Sequence, residues 1–387
     1  MNLAIVTETF PPEINGVAMT FGVLARELAR RGHAVTVFRP RRDDLPAGPA
    51  SPEFVEIPLP GMPLPGYPML RLGLPARRRL QRHWQLGPPD LVHVATEGPL
   101  GATAISAARA LGVPVTSSFH TNFHTYTHHY GFAPLRRLVL AWLRRVHNRT
   151  RRTFAPTAEL CRELGALGFR ELAVLPRGID AWQFHPVRRS PELRAGWRAA
   201  PDDPVVIHVG RMAAEKNYEL LARARHAMRL ANPRCRFVFV GDGPLRPRIQ
   251  RENPDCVFTG FIPRTELARH YASADVYVHA SLTETYGNVL TEAMASGLAV
   301  AGFDYAAARQ FVRHGENGLV APCDRPDALV GAAVLLVTDE MLRAQLRAAA
   351  RSAVEHHSWE NVIARFEAEL ASIAGLRSSS PAEHALA

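Results

Sequence analysis

Runs of four to six apolar, often β-branched residues alternate with stretches of helical period along this chain, and the alternation begins again halfway. Uninterrupted apolar runs suit strands buried on both faces, and parallel strands need a helix to carry the chain back between them. The pattern predicts an α/β protein with two Rossmann-like, doubly wound parallel sheets. In the first half the strands fall near residues 2–7, 33–38, 53–57, 90–95 and 113–119, with a helix from Gly16 to Arg31 closed by Gly32. The proline-rich stretch 58–68 reads as a long irregular connection. The second half restarts at Val205-Val206-Ile207-His208-Val209 and continues with strands near 236–241, 255–259, 274–279 and 298–302.

Two sheets also fit the length, since 387 residues exceed what one core serves comfortably. A hinge near Arg177-Gly178-Ile179-Asp180 divides the chain into domains 1–180 and 181–357. An amphipathic helix over 358–376 is expected to return to the first domain, and 377–387 has the composition of a disordered tail. Cys161, Cys235, Cys256 and Cys323 show no Cys-x-x-Cys spacing, which points away from a thiolate zinc site or a disulfide framework and toward the reducing cytoplasm. The sequence opens directly on strand-like Leu3-Ala4-Ile5-Val6, and no charge-free apolar stretch reaches membrane-spanning length. Any membrane contact is therefore expected to be peripheral.

The formal net charge of +10 calls for an anionic partner, and nucleic acid, acidic lipid and nucleotide phosphates all qualify. Of the 46 basic residues only Lys216 is lysine, and it follows Arg211 by five positions in Gly210-Arg211-Met212-Ala213-Ala214-Glu215-Lys216. A compact ammonium beside a planar guanidinium suits a phosphate held by both. The competing reading is a lone survivor of arginine-rich codon usage.

The strand near 274–279 runs into Ser281-Leu282-Thr283-Glu284-Thr285-Tyr286-Gly287-Asn288-Val289-Leu290-Thr291-Glu292. Glu284 is expected in the loop and Glu292 about one turn inside the following helix. The amides of Tyr286, Gly287, Asn288 and Val289 would open that helix, and a helix N-terminus receives a diphosphate readily. Carboxylates on either side could clasp vicinal hydroxyls; a helix cap and a solvated face would use the same residues.

Glu284 and Glu292, the Gly210–Lys216 segment, Gly241-Asp242-Gly243-Pro244 and Trp359 together resemble the retaining GT-B glycosyltransferases of the family 4 type, over nearly the whole chain. Val115-Thr116-Ser117-Ser118-Phe119-His120-Thr121 and Tyr271-Ala272-Ser273-Ala274-Asp275-Val276 are similar to stretches of GDP-mannose-dependent α-mannosyltransferases and sulfoquinovosyl-diacylglycerol synthases. The resemblance implies an N-terminal acceptor domain and a C-terminal nucleotide-sugar domain. It assigns Glu292 to the ribose, Glu284 to the donor sugar, and Arg211 and Lys216 to the diphosphate leaving group. In Phe10-Pro11-Pro12-Glu13-Ile14-Asn15-Gly16-Val17 it carries Gly16 to the diphosphate, and it carries His120 toward the donor sugar.

Two stretches depart from the family pattern. Asp304-Tyr305-Ala306-Ala307-Ala308-Arg309-Gln310 stands where relatives carry a glycine-rich turn ending in an acid, which leaves the donor sugar open. Arg177 stands where many relatives carry asparagine before Gly178, and it could meet phosphate or an acid.

His120, His124 and His128 have helical i, i+4 and i+8 spacing, yet no carboxylate motif accompanies them and no Asp-x-Asp occurs. No metal and no cofactor is expected, the nucleotide-sugar being a co-substrate, and His124 is assigned to acceptor positioning. Arg71, Arg77, Arg78, Arg79 and Arg82 interleave with Leu70, Leu72, Leu74, Leu80 and Trp84, and residues 135–145 repeat the style. Such a surface suits anionic headgroups at the cytoplasmic face of a membrane, although a solvated arginine face over a buried stripe fits equally.

The expected reaction is α-retaining transfer of a hexose, foremost mannose from GDP-mannose, to a hydroxyl of a lipid or glycolipid, with closure at the hinge assembling the site. A UDP-sugar enzyme making diacylglycerol glycolipids or a polysaccharide is the nearest alternative. A glycosidase would need no Arg/Lys phosphate clamp. A nucleic-acid-binding protein would explain the charge, but no helix-turn-helix, zinc module or stacking motif is present.

Overall fold

In a computed structural model, the described residues are 1–13, 15–42, 52–64, 67–120, 133–284 and 286–376. They form two units, residues 1–177 with the chain from Glu360 onward, and Gly178–Trp359.

The first unit contains β1 (Asn2–Val6), β2 (Ala34–Pro40), β3 (Val55–Leu59), β4 (Gly61–Leu64), β5 (Tyr67–Gly73), β6 (Leu91–Val94), β7 (Val115–Ser118), β8 (Arg152–Ala155) and β9 (Leu172–Val174). Seven of these make one parallel sheet in the order β3-β2-β1-β6-β7-β8-β9. The chain winds one way from β1 to β3 and the other way from β6 onward, so the carboxyl ends of β1 and β6 flank a topological switch point. Helix Gly16–Arg30 leaves β1 there, and Asn15 caps it by accepting the Val17 and Ala18 amides at 3.1 and 2.9 Å. Val6, Phe38, Leu80, Trp84, Val94 and Ile105 share one buried cluster of this unit. Helix Trp359–Ile373 packs Phe366 edge-on against His93 and Phe154 of the first sheet.

The expected irregular connection over 58–68 is instead largely structured: β4 and β5 form an antiparallel pair with Gly61 opposite Gly73. A two-stranded ribbon has only edge strands, where proline costs no ladder bond facing solvent. The Arg71–Trp84 segment is likewise not one element, because Arg71 lies on β5 and Arg77–Leu86 is a separate helix. Strands β8 and β9 escape the sequence pattern, being three or four residues long and including Arg152 and Thr153.

The second unit contains β10 (Val205–Val209), β11 (Arg236–Val240), β12 (Val257–Gly260), β13 (Val276–His279), β14 (Ala299–Phe303) and β15 (Leu319–Ala321), in the parallel order β12-β11-β10-β13-β14-β15. Ile207, Val240, Tyr277 and Val300 face one core and Val206, Phe239, Val278 and Ala301 the other, which is why the strands read as apolar without alternation. Buried Asp275 ties the unit together, pairing with Arg189, Arg194 and Arg347 at 2.9, 2.9 and 3.0 Å. Several of the arginines therefore serve the interior rather than a partner.

Candidate active site

The second sheet reverses between β10 and β13, and the loops leaving those two strands carry Arg211, Lys216 and Glu284. Three hydrogen bonds stitch the loops together. The Glu215 carbonyl accepts from Ser281 Oγ at 3.3 Å and Thr283 Oγ1 at 3.0 Å, and Asn217 Nδ2 donates to the Ala280 carbonyl at 3.3 Å. This brings the Lys216 ammonium into a hydrogen-bonded ion pair with Glu284 Oε1. His279 Nε2 stands 3.8 Å from the same oxygen.

Burial would lift the Glu284 carboxyl, but the Lys216 ammonium, His279 and hydrogen bonds from Lys216 and Ser281 outweigh it and hold it down at about 2. Glu284 is thus ionised throughout the physiological range. Glu292 has the opposite environment. Burial, partly offset by Arg264 at 3.1 Å and reinforced by the charge of Asp180, pushes its carboxyl up to about 7. The two acids that the sequence paired are electrostatically distinct, one a fixed anion and one poised near neutrality.

Between them, Gly287 adopts φ 95°, a left-handed conformation that releases the chain into helix Asn288–Ala295. The Tyr286 carbonyl accepts the Ala307 amide at 2.8 Å, and the Val289 carbonyl accepts the Tyr271 hydroxyl at 3.1 Å. Tyr305 donates its hydroxyl to the Glu284 carbonyl at 2.7 Å, so the segment that departs from the family pattern braces the acid loop. Ala306 beside it takes φ 50°, a conformation glycine would adopt without strain.

Arg211 is half exposed, with Glu215 Oε1 at 3.9 Å. The Gly241-Asp242-Gly243 stretch supports the Arg211 loop. Met212 donates its amide to the Asp242 carbonyl at 2.9 Å, and a Cβ on Gly241 would lie 2.1 Å from the Gly210 carbonyl oxygen.

Gly16 and His120 belong to the first unit. The Arg177 guanidinium lies against Gly16, where a Cβ would meet Nη1 at 2.4 Å, and its charge also acts on His120. Burial first, then Arg177, hold the His120 imidazole well below its ordinary value, so the ring is neutral. Phe21 packs edge-on to it at 5.6 Å. Arg77, Arg78, Arg79 and Arg82 are exposed on helix Arg77–Leu86, whereas Leu80 and Trp84 are 0% and 2% exposed. His124 and residues 377–387 lie outside the described residues. Among the described residues there is no cluster of three metal-ligating side chains and no helix long and apolar enough to cross a membrane.

The sequence reading missed Arg264 and His279, and singled out the 304–310 segment without giving Tyr305 a role. Arg264 lies 28 residues from Glu292 without a local signal, and His279 hides within an apolar strand run.

Two parallel Rossmann-like sheets in one chain are the architecture of GT-B glycosyltransferases. The crystal structure of Anabaena HepE in complex with UDP has this fold, superposing with a TM-score of 0.77 over 96% of this chain and all of that one at 18% identity. The chain belongs to glycosyltransferase family 4: residues 14–183 match the Glycosyltransferase Family 4 model, and residues 203–339 match that of Glycosyl transferases group 1. It is 34% identical over 388 residues, 99% of each chain, to a GDP-mannose-dependent alpha-mannosyltransferase of Mycobacterium tuberculosis. A second protein of that name, from Corynebacterium glutamicum, is 32% identical over 93% of this chain and 86% of its own. The chain is a hexosyltransferase.

Proposed function

We propose that this protein moves mannose from GDP-mannose to a hydroxyl of a lipid or glycolipid acceptor, keeping the α configuration. The observation that carries the reading is the Lys216–Glu284 couple at the switch point of the second sheet, in a chain 34% identical to a GDP-mannose-dependent alpha-mannosyltransferase along its length. The donor is assigned to the second unit. Glu292 accepts ribose hydroxyls, Arg211 and Lys216 face the diphosphate with the amides from Tyr286 to Val289, and Glu284 accepts hydroxyls of the sugar. Gly16 and His120 are the first unit's contribution, and the acceptor is assigned to that unit.

In the transfer, the acceptor oxygen bonds to the anomeric carbon as the bond to the leaving phosphate oxygen breaks, and that phosphate oxygen takes the acceptor proton. Negative charge grows on the departing diphosphate, so cations fixed beforehand lower the barrier most. No metal ion takes part in this scheme. The exposed arginines at 77, 78, 79 and 82 give peripheral attachment to an anionic membrane surface, with Leu80 and Trp84 of the same helix kept inside the protein.

Thermal unfolding with GDP, GDP-mannose, UDP and UDP-glucose tests the donor. A ligand at 100 times its dissociation constant adds about 2.7 kcal/mol. A shift with the guanine pair alone is expected; a shift with the uracil pair alone would assign the protein to UDP-sugar chemistry.

A further inference from the structure

His279 ends β13 with its ring buried at 6% exposure, directly behind the acid loop. Its Nδ1 is 3.2 Å from the Tyr277 hydroxyl, and its Nε2 faces Glu284 Oε1 at 3.8 Å. Tyr277 is fully enclosed, and burial pushes its phenol well above the ordinary value, so the hydroxyl keeps its proton and can donate it to Nδ1. An ionised carboxylate can only accept, so the tautomer that serves both contacts carries its proton on Nε2 and accepts the Tyr277 hydroxyl at Nδ1. The strand thereby aims a neutral N–H at the Glu284 carboxylate.

This matters because Lys216 has two assignments that compete. Without donor it neutralises Glu284; with donor bound, it is assigned to the diphosphate. A buried carboxylate that loses the cation paired with it is costly unless another donor holds it. We propose that His279 is a positioning residue that holds Glu284 ionised and correctly aimed at the sugar when Lys216 turns to the diphosphate, a proposal that rests on the donor reading above. The 3.8 Å separation is longer than a made hydrogen bond, as is common in sites that tighten only around substrate. Burial, partly offset by the Glu284 charge and reinforced by that of Lys216, holds the ring down at about 4, consistent with a neutral donor.

The test uses two amides of different reach in the full-length enzyme. His279→Gln places an N–H near the position of Nε2, whereas His279→Asn stops at the level of Nδ1. With GDP-mannose as donor and its hydrolysis or transfer as readout, His279→Asn is expected to lower kcat about tenfold while the donor KM stays within about threefold. His279→Gln is expected to retain kcat within about threefold of the parent. In a Glu284→Gln background the His279→Asn loss should vanish, because the group it acts through is gone. Equal activity of the Asn and Gln variants, or a full His279→Asn loss persisting beside Glu284→Gln, would overturn the proposal. If Glu284→Gln by itself leaves kcat unchanged, it is the assignment of Glu284 to the sugar that fails.

Discussion

Lys216 and Glu284, 68 residues apart in sequence, meet as an ion pair because the loops after β10 and β13 leave the sheet side by side at its switch point. The pair is largely enclosed, so it is a stronger element than a surface salt bridge, and removing one partner strands the other. Lys216→Ala is expected to lower turnover at least about tenfold, since one well-placed charge on a phosphate contributes about 1.5–3 kcal/mol. Without the ammonium the Glu284 carboxyl also titrates higher than about 2, so the acid limb of the variant's kcat/KM profile moves up in pH. Turnover near the parent's, in a variant whose melting curve shows a folded protein, would remove Lys216 from the mechanism.

Glu292 gives a prediction of opposite sign. Its folded-state value of about 7 lies above the ordinary 4.5, so the folded protein binds that proton more tightly than the unfolded chain. The resulting stability is complete below pH 4.5 and is lost as pH rises through 7. Glu292→Gln cannot lose it, and its advantage over the parent should grow by about 2–3 kcal/mol between pH 5 and pH 8.5 in urea titrations. Glu8 and Glu97, also raised to about 7 by burial, act equally in both proteins and drop out of the difference. A pH-independent difference would mean that Glu292 is ionised throughout.

The two-sheet fold was legible because both cores are built from long runs of consecutive apolar residues, and the acid loop because its residues are contiguous. What stayed hidden depends on partners distant in sequence. Asp275 is unremarkable until Arg189, Arg194 and Arg347 converge on it, and no local pattern announces Arg264 beside Glu292. The β4–β5 ribbon was obscured by prolines, which argue against a central strand and are harmless in an isolated pair. The arginine-rich helix at 77–86 was read together with its apolar neighbours, but periodicity alone does not say which side of a helix the core takes.

Gly241 separates support from chemistry. Its φ of 127° excludes most side chains, and a Cβ would sit 2.1 Å from the backbone oxygen of Gly210, which cannot swing aside. Gly241→Ala is expected to cost about 3 kcal/mol or more in folding stability and to displace the Arg211 loop. Gly16→Ala is the control, since the nearest atoms to its Cβ would be those at the end of the Arg177 side chain rather than backbone. Calorimetry that ranks Gly16→Ala as the more damaging change would contradict this account of the loop.

The exposed arginines at 77, 78 and 79 sit on a helix whose Leu80 and Trp84 are already spent on the first unit's core. Membrane attachment through this helix therefore has charge to draw on, with Leu86 alone exposed among the helix's apolar side chains. Each arginine near an anionic surface contributes about 1 kcal/mol, and the attraction decays within a Debye length. Reversing Arg77, Arg78 and Arg79 to glutamate is expected to abolish sedimentation with anionic vesicles while sparing vesicle-free hydrolysis of the donor. The unaltered protein should likewise release from vesicles at about 1 M salt, where the screening length falls to about 3 Å. Sedimentation that survives the charge reversal would show that another surface makes the attachment, and sedimentation that survives only the salt would show that apolar insertion contributes after all.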